Sequence, residues 1–297
     1  MSDRRTLRRQ LARLSLTGLS VGDAFGQQFV SQPELLATRT LPVYPWTFTD
    51  DTVMGIAVTQ TLELCCEIDQ HDLATRFGTF YDEDPYRGYG AIAHGILRGI
   101  SNGEPWLKVS SAVFDSTGSM GNGAAMRAGP IGAYFYDDPE KTAHQAKLSA
   151  EITHIHPEGI AGAIAVAVAA AFACNWKVNE PDTKPPGLLQ STLPFVPAGE
   201  VKNGIELAGK LSADATVLEA AARLGCGKRI LAQDTVPFCL WAAEKWLADF
   251  PEAMWSTASV FGDIDTNCAI VGSIVSLAEG KDGIPEEWVL SREPLNG

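Results

Sequence analysis

Apolar side chains recur at the spacing of an α-helix through most of the chain, and this periodicity is the strongest constraint on its fold. The i, i+3, i+4 pattern runs through residues 52–68, 142–152, 159–172, 215–224, 236–247 and 267–277. Such a pattern is typical of helices that pack one face against a core. Alternation of apolar and polar residues is scarce, and no strand–helix–strand order is visible. We therefore expect an all-α domain rather than a doubly wound sheet.

The stretch 178–203 is the candidate for a linker between two domains. It contains five prolines and few periodic apolar positions. Two short acidic clusters, at residues 49–52 and 263–266, lie on opposite sides of it. If these clusters share one site, both halves of the chain must fold together. We therefore predict that residues 1–297 form a single compact domain, with residues 178–203 as a long surface loop.

Charge and composition limit the partners that the chain can have. The formal net charge of -13 disfavours sequence-independent binding to nucleic acid or anionic lipid, because both are negatively charged. The longest uncharged apolar run, residues 159–174, is short for a membrane span and suits a buried helix. Six cysteines without a CxxC pair indicate reduced thiols. We expect a cytoplasmic protein without a membrane partner, and a monomer is the working expectation.

The two acidic clusters are the main functional signal. They read Thr49-Asp50-Asp51-Thr52 and Asp263-Ile264-Asp265-Thr266, and each leads into an apolar helical segment. Helix capping is the alternative reading, but a cap needs one side-chain acceptor and each cluster has two acids. Four carboxylates brought together would repel one another unless a cation neutralised them, and Mg²⁺ or Mn²⁺ prefers oxygen ligands. The pattern therefore predicts a metal-dependent hydrolase.

A glycine-rich segment at residues 116–127 surrounds Asn122. Its backbone N–H groups could form a phosphate-binding nest, although a plain turn is the alternative. It matches neither a P-loop nor a dinucleotide fingerprint. Two histidines, His154 and His156, follow in the chain, but their spacing does not put both rings on one helical face. A paired metal site at these histidines is therefore not expected.

Taken in chain order, these motifs resemble those of the ADP-ribosylglycohydrolase family. The resemblance covers about residues 15 to 280 and implies an all-α fold. No single motif decides it, but their common order is specific. The matching motifs are Gly22-Asp23-Ala24-Phe25-Gly26, residues 49–52, Gly88-Tyr89-Gly90, residues 121–127 with Pro130 and Gly132, Thr153-His154, and residues 262–266.

The resemblance implies a dinuclear centre with two divalent cations, Mg²⁺ or Mn²⁺, where the two acidic clusters meet. The implied metal ligands are Thr49, Asp50, Asp51, Asp263, Asp265 and Thr266. The glycine-rich segment would hold the diphosphate and ribose, and Arg127 would brace it rather than touch the substrate. The implied substrate-binding residues are Tyr89, Gly118, Ser119, Gly121, Asn122, Gly123, His154 and Phe261.

The chain departs from the family at one acid and at one glycine. Many members carry a Glu shortly after the first Gly-Asp motif, where this chain has Val30, and its next acid is Glu34. Either Glu34 fills that role, or Gln27 or Gln28 acts as a neutral ligand. Phe261 stands where a second Gly is common, so it is expected to shape the pocket. Asp23 is expected to support the site from behind or to cap its helix. The expected catalytic residues are Asp50, Asp51, Glu34 and Asp265.

The expected reaction is hydrolysis of the N- or O-glycosidic bond between ADP-ribose and an acceptor. The acceptor is an ADP-ribosylated protein side chain, such as arginine or serine, or a small ADP-ribosyl molecule. Three variable segments are candidates for its recognition: residues 31–46, residues 82–89 and the neighbourhood of residues 234–237. The alternatives are hydrolysis of another ADP-ribosyl metabolite or nucleic-acid linkage, and an inactive relative that binds ADP-ribose. The intact acids in both clusters argue against the last.

Overall fold

Sixteen α-helices and three short 3₁₀ helices follow one another along residues 2–185 and 187–295, the part of the chain that the computed structural model describes. Two isolated β-bridges are the extended pairing within those residues, so the all-α prediction is confirmed. The predicted domain ends, residues 1 and 297, lie outside the described residues. The α-helices are α1 (Ser2–Ser31), α2 (Glu34–Thr38), α3 (Asp50–Cys65), α4 (Gln70–Glu83), α5 (Ala91–Ser101), α6 (Trp106–Ser111), α7 (Gly129–Tyr134), α8 (Pro139–Glu151), α9 (Pro157–Asn179), α10 (Leu188–Thr192), α11 (Glu200–Ala208), α12 (Val217–Leu224), α13 (Ala232–Lys245), α14 (Phe250–Ala258), α15 (Ile264–Glu279) and α16 (Glu286–Ser291). The 3₁₀ helices are Asn122–Ala124, Leu193–Phe195 and Lys281–Gly283.

Helices α1 and α15 pack backbone against backbone along a stripe of glycines. Gly18, Gly22 and Gly26 are spaced four residues apart and therefore share one face of α1. A Cβ atom on Gly22 would lie 2.1 Å from the carbonyl oxygen of Cys268, and one on Gly26 would lie 2.7 Å from the Cα atom of Asp265. This close approach joins two helices that are more than 200 residues apart in sequence. It also brings the first turn of α15 beside the Gly-Asp motif of α1.

Helix α9 forms the centre of the core. It is rich in alanine, and fourteen of its residues are buried. Its length and composition would allow it to cross a membrane, yet 78% of its most apolar window is buried inside the protein, as in a core helix. Small side chains let neighbours approach closely, because a Cβ atom on Gly132 of α7 would lie 2.0 Å from the carbonyl oxygen of Ala167. Helices α8, α13 and α15 also pack against α9.

The stretch 178–203 is not a linker, and only its first half includes an exposed loop, at residues 180–185 and 187. Helix α9 continues to Asn179, and α10 and a 3₁₀ helix follow before α11 begins at Glu200. Leu188 and Val201 are fully buried. The surface-loop prediction is therefore wrong for the second half of this stretch, because its few apolar residues pack on the core despite the prolines between them. Helices from both sides of the stretch pack together in one compact domain.

An aromatic cluster fixes the chain segment that leads into α3. Phe25 and Phe29 of α1 contact Trp255 of α14, and Phe25 stacks on Trp288 of α16 with ring centroids 4.7 Å apart. Trp46 meets both Phe25 and Trp288 edge-on. The rings of this cluster are buried. The segment before Thr49 is therefore anchored on the hydrophobic core rather than left as a free loop.

Candidate active site

A cavity of about 370 Å³ opens where the acidic starts of α3 and α15 meet the glycine-rich segment. Polar and acidic groups line one part of it, and apolar side chains line the remainder. The first turn of α5 and residues 229–231 complete the wall. The lining residues discussed in this section are Asp50, Asp51, Gly88, Ser119, Gly121, Asn122, Gly123, Arg127, His154, Ile230, Asp263, Asp265 and Thr266.

The backbone N–H groups at the start of α3 donate to acceptors other than the side chains of Asp50 and Asp51. Asp23 of α1 accepts hydrogen bonds from the backbone N–H groups of Thr49 and Thr52, each at 3.0 Å, and from both of their hydroxyls. The Thr49 hydroxyl accepts from Asp51 N at 3.4 Å, and the carbonyl of Arg87 accepts from Asp50 N at 2.7 Å. Helix capping therefore does not account for the carboxylates of Asp50 and Asp51.

Asp51 links the two acidic clusters directly. Its Oδ2 atom accepts from the Thr49 hydroxyl at 3.1 Å and from the Thr266 hydroxyl at 3.4 Å. Its Oδ1 atom is buried and has no hydrogen-bond partner. One carboxylate oxygen from each of Asp23, Asp51 and Asp265 lies within 4.8 Å of the others. Buried carboxylate oxygens without partners are costly, so a cation bound here would satisfy a group that is otherwise unpaired.

The second cluster is tied to the glycine-rich segment. Asp263 is the N-cap residue of α15. Its backbone N–H donates to the carbonyl of Cys226, and its Oδ2 accepts from Asn122 Nδ2 at 2.6 Å. A Cβ atom on Gly262 would lie 1.5 Å from that Cys226 carbonyl oxygen. Only glycine fits at this position, so Gly262 sets the path of the chain into α15. Asn122 therefore orients Asp263 instead of projecting freely into the cavity.

Burial and mutual repulsion leave these carboxyls with abnormal proton affinities. Burial, reinforced by the negative charge of Asp265, raises the pKa of Asp23 and of Asp263 to about 7. Burial and then the charge of Asp23 raise the pKa of Asp50 and of Asp51 well above the usual range. The donors are all hard oxygen atoms, which suit Mg²⁺ or Mn²⁺. The residues present thus fit a divalent cation.

The glycine-rich segment packs against His154. Cβ atoms on Gly121 and Gly123 would lie 3.1 Å from ring atoms of His154, so both glycines allow the imidazole to approach the backbone. Arg127 is fully buried and donates to the carbonyl of Gly123 at 2.8 Å and to the hydroxyl of Thr153 at 2.9 Å. This brace has the geometry expected of Arg127. Burial, and then the charge of Arg127, lower the pKa of His154 to about 3, so its ring is neutral at pH 7.

The model of the family described as ADP-ribosylglycohydrolase matches residues 4–294. The chain belongs to this family. It is 29% identical over 282 residues to the ADP-ribosylhydrolase ARH3 of Homo sapiens, covering 86% of this chain and 76% of that protein. It is also 29% identical over 152 residues to the ADP-ribosyl-dinitrogen reductase glycohydrolase of Rhodospirillum rubrum, covering 47% of this chain and 50% of that protein. A solved structure titled "ADP-ribosylglycohydrolase-related protein complex" has the same fold, with a TM-score of 0.66 at 23% identity and coverage of 99% and 94%.

Membership of this family supports hydrolysis of ADP-ribose linkages in general, and the Asp23, Asp51 and Asp265 group could hold a metal ion. The structure brings most of the expected family residues to that cavity, but not all of them. Thr49 lies behind the lining and holds Asp23 and Asp51. Tyr89 is buried against Tyr81, and burial raises the pKa of its hydroxyl. Tyr89, Gly118 and Phe261 do not line the cavity, so their expected contacts with substrate stay predictions.

The segment that would supply the missing family acid also stays outside the cavity. Glu34 is exposed at the start of α2 and is not among the lining residues. Gln28 donates to the carbonyls of Ala24 and Thr47 and so braces the chain before Thr49. A catalytic role for Glu34 therefore has no support from this geometry. The physical reason is that α1 continues to Ser31, which carries Glu34 past the cavity.

The third expected recognition segment, in the neighbourhood of residues 234–237, reaches the cavity only through the residues that precede α13. Residues 234–237 themselves are buried in α13, whereas the adjacent residues 229–231 line the cavity. The turn that carries them rests on Gly227, whose φ is +82° and whose Cβ would lie 2.6 Å from the Cβ of Asp263. Gly225 and Gly227 both have a positive φ, and this closely spaced pair of glycines was the sequence feature that could have indicated the turn. At the rim, Phe114 and Ile230 are exposed by 54% and 61% and adopt left-handed backbone conformations.

Proposed function

We propose that this protein hydrolyses the glycosidic bond between the distal ribose of ADP-ribose and an acceptor side chain, and so reverses protein ADP-ribosylation. The observation that carries the proposal is the meeting of two acidic clusters, from α3 and α15, beside the glycine-rich segment in one cavity. The bond is N-glycosidic for an arginine acceptor and O-glycosidic for a serine acceptor. The relatives named above act on ADP-ribosylated substrates, which supports this substrate class.

Carboxylates from both clusters would hold the cation. Asp51 and Asp265 line the cavity with carboxylate oxygens within 4.8 Å of each other, and Asp51 Oδ1 is unpaired, so we assign them the central role. Asp50, Asp263, Thr49 and Thr266 are proposed as further oxygen donors. We propose two ions, Mg²⁺ or Mn²⁺. A divalent cation bound here supplies Lewis acidity and lowers the pKa of water. The carboxylates also give this part of the cavity a negative potential. That potential would stabilise the positive charge that develops on the anomeric carbon of the ribose as the glycosidic bond breaks.

A hydrogen-bond relay sets the tautomer of His154. Arg127 only donates, so Thr153 Oγ1 accepts from it and turns its own proton toward His154 Nδ1, 2.7 Å away. The proton of the neutral ring then resides on Nε2, on the side of Gly121 and Gly123. We propose that this N–H donates a hydrogen bond to the diphosphate of the substrate. The backbone N–H groups of Gly121 and Asn122 already donate to Ser119 Oγ and to the carbonyl of Ile230, so the proposal does not count them as donors.

The decisive experiment compares hydrolysis and cation binding in Asp51→Ala and Asp265→Ala with the wild type. We expect kcat/KM to fall by about 10²-fold or more, and the affinity for Mn²⁺ to fall by about tenfold or more. Asp214→Ala is the matched control, because Asp214 is exposed and is not among the residues that line the cavity. Wild-type turnover and Mn²⁺ binding in both site variants would overturn the proposed function.

The acceptor is identified by a panel of substrates that carry one ADP-ribosyl linkage each. Arginine-linked and serine-linked peptides test the two proposed bonds, and free ADP-ribosyl metabolites and ADP-ribosylated nucleic-acid ends test the alternatives. Glu34→Gln belongs in the same panel. Because Glu34 is exposed and outside the lining, we expect this variant to keep its activity within about twofold, and a loss of 10²-fold would restore a role as general acid or base.

A further inference from the structure

The last residue of α16 and the two residues after it run alongside the chain that leads into α3. Trp46 N donates to the carbonyl of Ser291 at 2.7 Å, and Glu293 N donates to the carbonyl of Trp46 at 2.9 Å. These bonds form a parallel bridge between Trp46 and Arg292. We term residues 291–293 the C-terminal strap. The strap is bonded to the chain at buried Trp46, three residues before the first acidic cluster begins at Thr49.

Glu293 of the strap joins two loops that are distant in sequence. Its Oε1 atom accepts from Phe48 N at 2.9 Å and from Arg87 Nη1 at 2.5 Å. Arg87 also donates to the carbonyl of Phe48 at 3.2 Å, and its guanidinium lies 4.7 Å from the centre of the Phe48 ring. A third contact, to Asp84, keeps Arg87 within its own loop. One ion pair thus fixes the chain before α3 against the chain before α5.

Both of these loops lead directly into the cavity. The carbonyl of Arg87 accepts from Asp50 N at 2.7 Å, so Arg87 contacts the acidic cluster through its backbone. The next residue, Gly88, has a φ of +95°, and a Cβ atom on it would lie 3.4 Å from Asp50 Oδ1. The position of the Asp50 carboxylate therefore depends on where this loop is held.

We infer that Arg87 and Glu293 are positioning residues, which hold Asp50 and the Gly88 turn in the arrangement that binds the cation. The inference rests on the proposed function, because it takes the acidic clusters as the cation site. Neither side chain lines the cavity, and both are about three-quarters buried. Their effect must therefore pass through the backbone of Phe48, Arg87 and Gly88 to the carboxylate of Asp50.

The lost positive charge and the lost contact to Glu293 predict opposite changes in cation affinity for Arg87→Ala. Removal of a positive charge near an anionic cavity would strengthen cation binding if only electrostatics mattered. Loss of the contact to Glu293 would instead release Asp50 and weaken binding, by about tenfold if it resembles other supporting contacts around metal sites. Glu293→Asp offers a second test, because it keeps the charge and shortens the side chain by one methylene group.

The experiment is calorimetric titration of the purified full chain with MnCl₂ alone, and with MgCl₂ alone, without substrate. Arg76→Ala is the matched control. Arg76 is as buried as Arg87 and also pairs with a carboxylate, that of Asp72 on α4. Its hydrogen bonds go to Asp72 and Gln60 rather than to the chain before α3 or before α5. We expect about tenfold weaker Mn²⁺ binding for Arg87→Ala, a smaller loss in the same direction for Glu293→Asp, and wild-type affinity for Arg76→Ala.

Each outcome has a separate meaning. Wild-type or tighter Mn²⁺ binding in folded Arg87→Ala overturns the inference, and so does unchanged binding in Glu293→Asp if Arg87→Ala does not fold. A wild-type protein that binds neither cation overturns the proposed metal dependence instead.

A kinetic measurement separates a positioning role from a general loss of structure. The affinity defect is expected to shift the Mn²⁺ concentration that gives half-maximal activity, with kcat at saturating Mn²⁺ recovering to near the wild-type value, whereas a general loss of structure would lower kcat at every concentration.

Discussion

At the scale of single residues, Asp51 is expected to lower the stability of the cation-free protein while it is needed for activity. Its Oδ1 atom is buried without a partner, and its neighbours Asp23 and Asp265 are also acidic. Asp51→Asn keeps an oxygen that can accept from Thr49 and removes one negative charge from the cluster. Without a divalent cation we expect this variant to be more stable than the wild type by about 1 kcal/mol at pH 7.5, although it is less active. Thermal unfolding in the presence of EDTA measures the difference.

The same cluster sets how stability depends on pH. The pKa of Asp23 and of Asp263 is about 7 in the folded protein and 3.8 ordinarily, so the folded state binds more protons between these values. The cation-free protein therefore loses stability from this cluster as the pH rises from about 4 to about 7. We expect the advantage of Asp51→Asn over the wild type to be larger at pH 7.5 than at pH 5.5. An advantage that shrinks as the pH rises would contradict the assigned repulsion.

At the scale of elements, the glycine stripe of α1 positions the site by controlling the distance to α15. Gly22→Ala would place a methyl group 2.1 Å from the carbonyl oxygen of Cys268 and push the two helices apart. We expect destabilisation of about 1–3 kcal/mol, as for other overpacked contacts, and a larger loss of cation affinity than of stability, because Asp23 and Asp265 would separate. Chemical denaturation and MnCl₂ titration measure the two effects.

Gly95→Ala in α5 is the matched control for the glycine stripe. A Cβ atom on Gly95 would meet nothing within 4 Å, and the residue is exposed in the interior of the helix. Alanine favours the helix there by about 0.5–1 kcal/mol. We therefore expect Gly95→Ala to be slightly more stable than the wild type with unchanged cation binding. Equal losses in Gly22→Ala and Gly95→Ala would show that the helix contact does not position the site.

Local patterns predict the elements of this fold better than they predict its contacts. The starts of α3 and α15 could be read from acids and hydroxyls ahead of apolar periodicity, because cap and helix are neighbours in sequence. The hydrogen bonds of Asp23 to Thr49 and Thr52 could not, since they require the packing of α1 on α3. The pairing of Arg87 with Glu293 is equally hidden, because it depends on where the chain returns after α16.

At the scale of the whole molecule, the acidic cluster joins three helices that are far apart in sequence. Asp23 comes from α1, Asp51 from α3 and Asp265 from α15, and α1 packs along α15 more extensively than any other pair of described helices. A cation that binds only the folded state stabilises it by about 2.7 kcal/mol at a hundred times its dissociation constant. For a domain of this size we expect the unfolding temperature to rise by roughly 5 °C or more in saturating MnCl₂.

A comparison of MnCl₂ with NaCl separates the effect of a bound cation on the unfolding temperature from the general effect of salt. NaCl at matched ionic strength screens the carboxylates without bridging them, so we expect it to give a much smaller shift than MnCl₂. Asp265→Asn removes one of the three converging carboxylates, and its shift in MnCl₂ is expected to fall toward that in NaCl. If MnCl₂ and NaCl stabilise the wild type equally, the carboxylates do not act together on one ion. If Asp265→Asn keeps the full shift, the ion binds elsewhere and the three helices are held together by packing alone.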